Sequence, residues 1–154
     1  MSVSVKLVQF LKEKGVEYEV IPHTVSYTAQ ETAASVHTPG KEVAKSVVIT
    51  DGTEYVMAVV DAPHQVDLKK FAALSGTKKT SLASEERLRE LFPDCEPGAM
   101  PPFGNLYGIK VFVDKRLEDD EMIIFNAGSH FEAIRLKYED FKKLAQPEVG
   151  DFAK

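Results

Sequence analysis

The sequence predicts a mixed α/β domain of the α+β kind, with a single curved, mostly antiparallel sheet and helices around it. Three observations lead there. First, two β-branched apolar runs, Lys45–Thr50 and Glu54–Val60, flank an Asp51-Gly52 turn, a strong hairpin signal. Second, another pair of such runs, Glu121–Asn126 and His130–Leu136, surrounds Ala127-Gly128 after the central helices. Hairpins placed before and after helices favour antiparallel or mixed pairing over a doubly wound parallel sheet. Third, 154 residues with 44% hydrophobic and 28% charged side chains suit one domain, residues 1–154, with a real core.

The elements follow in chain order. Ser2 to Lys14 sets Val3, Leu7, Phe10 and Leu11 at helical spacing, and Gly15 stands where a helix C′ glycine belongs. Glu17 to Ile21 alternates Tyr18 and Val20 with charge, a short strand ended by Pro22 and His23. Thr28-Ala-Gln-Glu31 reads as a capping box for a small-residue helix from about Ala29 to His37, stopped at Pro39-Gly40. The hairpin runs that follow are nearly continuous in Val, Ile, Met and Ala, which predicts central strands covered on both faces. Asp67 caps a helix over Leu68 to Leu74, closed by Gly76, and Ser84 caps another over Glu85 to Phe92, closed by Pro93. Tyr107 to Val113 alternates as a strand, Asp114 to Asp120 is a charged turn, and the second hairpin comes next. Tyr138 to Ala145 is a last short helix before the tail QPEVGDFAK.

Between the second capped helix and the Tyr107 strand lies PDCEPGAMPPFGNLYG, residues 93–108. Four of the chain's eight prolines and three of its nine glycines fall in it, which forbids helix and interrupts any strand. Met100, Phe103, Leu106 and Tyr107 give it too much apolar surface for a solvated linker. It is an ordered loop, either functional or a plain connector.

Composition excludes several functions. No apolar run approaches the ~20 residues that span a bilayer, and the N-terminus mixes acidic and basic residues without a signal-peptide pattern. A single cysteine, Cys95, permits no internal disulfide and fits a reducing cytoplasm. The net charge of −5 disfavours broad, charge-driven nucleic-acid binding. No phosphate-binding, dinucleotide, HExxH, CxxC or serine-elbow motif occurs, and His23, His37, His64 and His130 keep no metal-ligand spacing. Neither a metal nor a cofactor is therefore expected. Lys45 stands at the mouth of an apolar strand among Val43, Ala44, Val47, Val48 and Ile49. Such a lysine either reaches solvent or carries a partly desolvated cation into a cleft, where it would meet an anion or a carbonyl.

Lys45 heading the hairpin, Gly98-x-x-Pro101-Pro102-Phe103-Gly104 in the loop, and Asn126-Ala127-Gly128-Ser129 at a strand end occur in that order. With this ordered set the chain resembles the YbaK/prolyl-tRNA synthetase-associated domain family over essentially its whole length. The resemblance implies that family's fold and a trans-editing aminoacyl-tRNA deacylase. Such an enzyme hydrolyses the ester between a wrong amino acid and the terminal ribose of a tRNA. Its partners would be the acceptor end of a mischarged tRNA and, as a candidate, prolyl-tRNA synthetase, with no membrane and no DNA. A catalytically silent module that binds an aminoacyl-like ligand or a synthetase partner is the alternative.

The resemblance also implies the site. Lys45 is the residue on which activity would depend, an electrostatic clamp on the terminal nucleotide or ester. The loop residues Gly98, Met100, Pro101, Pro102, Phe103 and Gly104 would present backbone amides to the aminoacyl end. Ser46 would hydrogen-bond substrate or merely finish its strand; Gly128, Ser129 and His130 would border the aminoacyl pocket, unless His130 is an ordinary sheet-edge residue. No protein nucleophile is needed, because the neighbouring ribose hydroxyl helps to position the water. Val25, Met57, Met100, Phe103 and His130 are the expected pocket walls, and alanine on proline tRNA is the first expected substrate, with cysteine and serine as rivals. Cys95 has no basic partner nearby and is not expected to be a nucleophile. Lys69, Lys70, Lys78, Lys79, Arg87 and Arg89 are either a solvated face or contacts to acceptor-stem phosphates.

Overall fold

A serine begins the first element. The Ser4 side-chain oxygen accepts the Leu7 amide at 3.3 Å, so α1 (Val5–Glu13) starts there and buries Leu7 and Leu11, four residues apart, on one face. The structure is a computed structural model that describes residues 4–22, 42–76 and 79–154. The expected helix over 29–37, along with His23, Val25, His37 and Lys78, lies outside the described residues.

The first hairpin forms as the sequence predicts. β2 (Ala44–Thr50) and β3 (Tyr55–Asp61) pair antiparallel from Thr50 opposite Tyr55 to Ala44 opposite Asp61. Asp51 holds the turn, its Oδ1 accepting the amides of Thr53 and Glu54, both at 2.8 Å. The expected single sheet divides into two. One has the order β4-β2-β3-β5-β8, with β4 (Ser81–Leu82), β5 (Lys110–Asp114) and β8 (Glu148–Gly150). The other is β1-β7-β6, built from β1 (Glu19–Pro22), β6 (Met122–Asn126) and β7 (Glu132–Lys137). A bridge between Val43 and Ile124 is where the two meet. The pairing is mixed: β3–β5 and β5–β8 are parallel and the other pairs antiparallel.

Strand alternation then builds a core on each side of the five-stranded sheet. Ala44, Val48, Met57, Val59, Val111 and Val113 face Ile123, Phe125, Ile134 and Leu136 of the other sheet, with α1 and α4 (Tyr138–Ala145) contributing Leu7, Leu11 and Phe141. On the reverse face Ile49, Ala58, Val60 and Phe112 are covered by Phe71 of α2 (Leu68–Ser75) and by Phe152 of the tail. The Phe71 ring lies edge-on to Phe112 at 5.1 Å and to Phe152 at 5.2 Å. The near-continuous apolar runs of β2 and β3 are thus buried from both sides. α3 (Glu85–Leu91) keeps its Ser84 cap, with the hydroxyl accepting the Arg87 amide.

The tail is ordered structure. β8 extends the sheet, and Val66 bridges Ala153 antiparallel. Its anchor is Asp114, whose side chain is fully buried. One carboxylate oxygen accepts the amides of Phe152 and Ala153, each at 3.1 Å, and the other accepts the Arg116 amide and guanidinium. Burial alone would raise the pKa of this carboxyl, but the three amides and Arg116 outweigh it and hold the group below the ordinary carboxylate value.

Replacing Asp114 with alanine strands buried amides, and a loss of about 2–4 kcal/mol is expected in chemical denaturation. Because the folded carboxyl is depressed, its stabilisation is complete above the unfolded value of about 3.9 and is lost as pH falls through the lower folded value. The stability gap between wild type and Asp114→Asn should therefore be widest above about pH 4 and shrink below it. A gap independent of pH would remove the charge from this account.

Candidate functional site

The loop after α3 is locked to the turn between β6 and β7. Glu96 donates its amide to the Gly128 carbonyl at 2.8 Å, and Gly128 donates its own to Ala99 at 2.8 Å. The His130 amide donates to Glu96 Oε2 at 2.9 Å, and His130 Nε2 lies 3.0 Å from the Pro97 carbonyl. A carbonyl can only accept, so that ring nitrogen carries a proton. Ser129 is fully buried and its hydroxyl accepts the Phe131 amide. A second set of bonds fixes the loop's start: Asp94 accepts the hydroxyls of Ser4 and Tyr107.

Most of the loop turns inward. Pro101, Pro102, Phe103 and Gly104 are buried, and Met100 is 5% exposed. The Phe103 ring packs against Phe10, Phe125 and Phe141 at 6.1, 5.8 and 5.6 Å. Phe103 and Met57 are therefore core residues and not pocket walls, because apolar side chains of that size gain more by leaving water altogether. Gly104 is a close-packing glycine: a Cβ there would sit 3.0 Å from the Ile109 carbonyl. Gly98 is different. It is exposed, adopts φ +86°, and a Cβ there would be 3.6 Å from the His130 ring. Its amide points at the Met100 sulfur at 3.2 Å, a weak acceptor.

Two open clefts result. The first, about 590 Å³, is lined by Glu85, Leu88, Glu96, Pro97, Gly98, His130 and Phe131, with Ala83 at its margin. The second, about 740 Å³, is lined by Lys45, Gln65, Lys69, Lys154 and Asp67 over Val47, Val66, Leu68 and Leu82. The structure thus brings Gly98 and His130 together. It does not bring Lys45 to the loop: among the described residues no cleft holds both. Lys45 and Ser46 are neighbours on a strand and so point to opposite faces. The Ser46 hydroxyl is buried with no hydrogen-bond partner among the described residues. The two clefts lie on opposite faces at one sheet edge: Leu82 of the edge strand β4 lines the second, and the next residue, Ala83, lines the first.

Lys45 is half-buried, and its ammonium donates weakly to the Ala62 carbonyl at 3.4 Å. Burial lowers its pKa from the ordinary lysine value, and the Asp61 carboxylate opposes that shift. Asp61 is buried and accepts His64 Nδ1 at 2.8 Å. Burial pushes the Cys95 thiol up to about 12, so it is protonated at neutral pH and unfit as a nucleophile. The basic run is largely paired: Arg87 with Glu90 and Arg89 with Glu85, both at 2.6 Å, and Lys70 with Asp151 at 3.8 Å. Of the described residues of that run, Lys69 lines the second cleft and Lys79 a smaller hollow of about 350 Å³ beside the Asp51-Gly52 turn. Sequence reasoning missed Gln65 and Lys154, whose segments have no local pattern to mark them, and Glu96 and Phe131, although these lie in the Pro/Gly loop and directly after His130. Among the described residues no group of His, Cys, Asp or Glu could hold a metal, and no helix is long and apolar enough to cross a membrane.

A family model described as an aminoacyl-tRNA editing domain matches residues 23–144. The multifunctional Ser/Thr-tRNA deacylase ProXp-y of Escherichia coli is 30% identical over 152 residues, covering 96% of this chain and 90% of that protein. The prolyl-tRNA editing protein ProX of Acetoanaerobium sticklandii is 27% identical over 148 residues, covering 92% and 90%. A proline–tRNA ligase of Staphylococcus saprophyticus is 33% identical over 101 residues, 66% of this chain and 18% of the ligase. In fold the chain is similar to a solved structure described as a candidate trans-editing enzyme for prolyl-tRNA synthetase. That likeness has a TM-score of 0.87 at 22% identity and covers 98% and 96% of the two chains.

The two loop glycines should respond differently to a side chain. Gly104→Val should lower thermal stability by about 1–3 kcal/mol through overpacking. Gly98→Ala should cost about 1–2 kcal/mol, all from its left-handed backbone. Native protein should react slowly with iodoacetamide at pH 7 and quickly once unfolded; fast labelling of native Cys95 would contradict its burial.

Proposed function

The chain belongs to the aminoacyl-tRNA editing domain family and is a deacylase of that family, and from this premise we propose its substrate and the work of its residues. The substrate is a tRNA acceptor end bearing a small wrong amino acid, alanine on proline tRNA first. The reaction adds water across the ester: hydroxide joins the acyl carbon, and the freed ribose oxygen takes the proton. An ester is already activated, so positioning and charge stabilisation suffice. The observation that carries this reading is the cleft at Gly98. It has a loop glycine with a nearly uncommitted amide, a carboxylate from Glu96 and the His130 ring, and Pro97 and Leu88 give its lining an apolar part.

In this reading the Glu96 carboxylate faces the α-ammonium of the aminoacyl group, and the Gly98 amide faces the ester oxygen. Gly128, Ser129 and the buried prolines act through rigidity, holding Gly98 and His130 in register. Lys45 grips the terminal nucleotide from the second cleft as a cation. Among the described residues the side chains lining the Gly98 cleft include no serine, threonine or cysteine, and Cys95 is protonated; in this reading water is the nucleophile and the neighbouring ribose hydroxyl positions it. The likeness to a proline–tRNA ligase supports proline tRNA and a link to the synthetase. The PPFG form of the loop favours alanine. Serine is the second reading: the relative named a Ser/Thr-tRNA deacylase spans 96% of the chain, and Glu96 and His130 offer polar partners for a hydroxyl.

The test is release of amino acid from Ala-tRNA(Pro), Cys-tRNA(Pro), Ser-tRNA and Thr-tRNA. Alanine should be released fastest. Faster release of serine or threonine would move the assignment to the second reading, and release from none would leave a binding module. Lys45→Ala should cut kcat/KM by about 100-fold or more with the circular dichroism spectrum unchanged. Retained activity in that folded variant would remove Lys45 from the mechanism.

A further inference from the structure

We propose that the cleft around Lys45 is a phosphodiester subsite for the single-stranded 3′ end of RNA, and that Lys69 and the tail residue Lys154 complete it. The inference rests on the reading of the substrate as an acylated tRNA end and adds where its backbone lies. The chain as a whole carries a net charge of −5, yet this one cleft has three ammonium groups in its walls against one carboxylate. That carboxylate, Asp67, is already committed to capping α2, where it accepts the amides of Lys69 and Lys70 at 3.0 and 3.1 Å. The wall is therefore cationic. The floor, with Val47, Val66 and an exposed Leu82, is apolar and suits the face of a base or ribose.

Lys154 is held there by its backbone. Gln65 donates to the Lys154 carbonyl at 3.1 Å, and Lys154 donates to the Gln65 carbonyl at 2.8 Å. The Gly98 cleft has the opposite character, with Glu85 and Glu96 in its lining and, among the described residues, neither lysine nor arginine. An aminoacylated RNA end is itself polar in this sense: anionic phosphates lead to a terminal ribose whose acyl group carries a cationic amine. Phosphate fits only the lysine cleft, and the ammonium fits the carboxylate cleft. In this reading the strand runs from Lys154 and Lys69 past Lys45 and around the edge strand β4, where Leu82 lines one cleft and Ala83 the other, to put the ester beside Gly98.

The test is fluorescence anisotropy of an uncharged acceptor minihelix ending in CCA, titrated with wild type, Lys69→Glu, Lys154→Glu and, as a control for total charge, Lys12→Glu on α1. Each cleft variant should weaken binding about tenfold and lower the log–log salt slope by about one, whereas Lys12→Glu should do neither. Removal of the CCA nucleotides should erase the difference between Lys154→Glu and wild type. Equal weakening by Lys12→Glu, or wild-type affinity in both cleft variants, would overturn the subsite. The readout needs no hydrolysis. If the binding pattern holds while no mischarged tRNA is deacylated, the subsite stands and the reaction falls. If deacylation proceeds with an unchanged KM in Lys154→Glu, the reaction stands and the subsite falls.

Discussion

The architecture hangs on a buried carboxylate. Asp114 sits at the end of β5 with no exposed side-chain surface, and an ionised group there is tolerable only because amides surround it. Two of those amides belong to Phe152 and Ala153. The charge therefore draws the tail onto the sheet, Phe152 closes the reverse core against Phe71, and the Val66–Ala153 bridge fixes the last residue beside Gln65. A polar requirement in the middle of the chain dictates where its end lies, and with it one wall of the Lys45 cleft.

The second cleft depends on a different lock. Residues 96–99 and 127–130 exchange backbone bonds in both directions, and His130 bonds to both Glu96 and the Pro97 carbonyl. Gly98 is left exposed at positive φ just before the buried stretch from Ala99 to Gly104. Rigidity of this kind suits a site that works by positioning, since a hydrogen-bond donor held in place needs no reorganisation when charge develops on the ester oxygen.

Much of this was legible in the sequence because it is local. The Asp51-Gly52 hairpin and the Ser84 and Asp67 caps follow from turn chemistry, spacing and side-chain capping within a few residues. The two-sided burial of β2 and β3 follows from their unbroken apolar runs. What was not legible is non-local. No pattern near Glu148–Gly150 announces a parallel partner for β5, and two residues, Ser81–Leu82, are too few to show alternation. The division into two sheets comes from β2 meeting β6 only at Val43. At the site, Lys45 was visible as a cation among apolar neighbours, but its companions arrive from residues 65–69 and 154. Phe103 and Met57 were misjudged as walls for the reason that makes apolar residues ambiguous: the same side chain can line a pocket or fill a core, and only packing decides.

The parallel placement of β8 has a consequence for how the molecule is made. β5 gains its second neighbour from residues 148–150, so that side of it stays bare until those residues have emerged from the ribosome. A nascent chain stalled earlier would expose β5 as a template for strangers and hold Asp114 without its amides. Emergence of residues 148–153 and completion of this sheet are thus one event, and anything that crowds those residues would delay both.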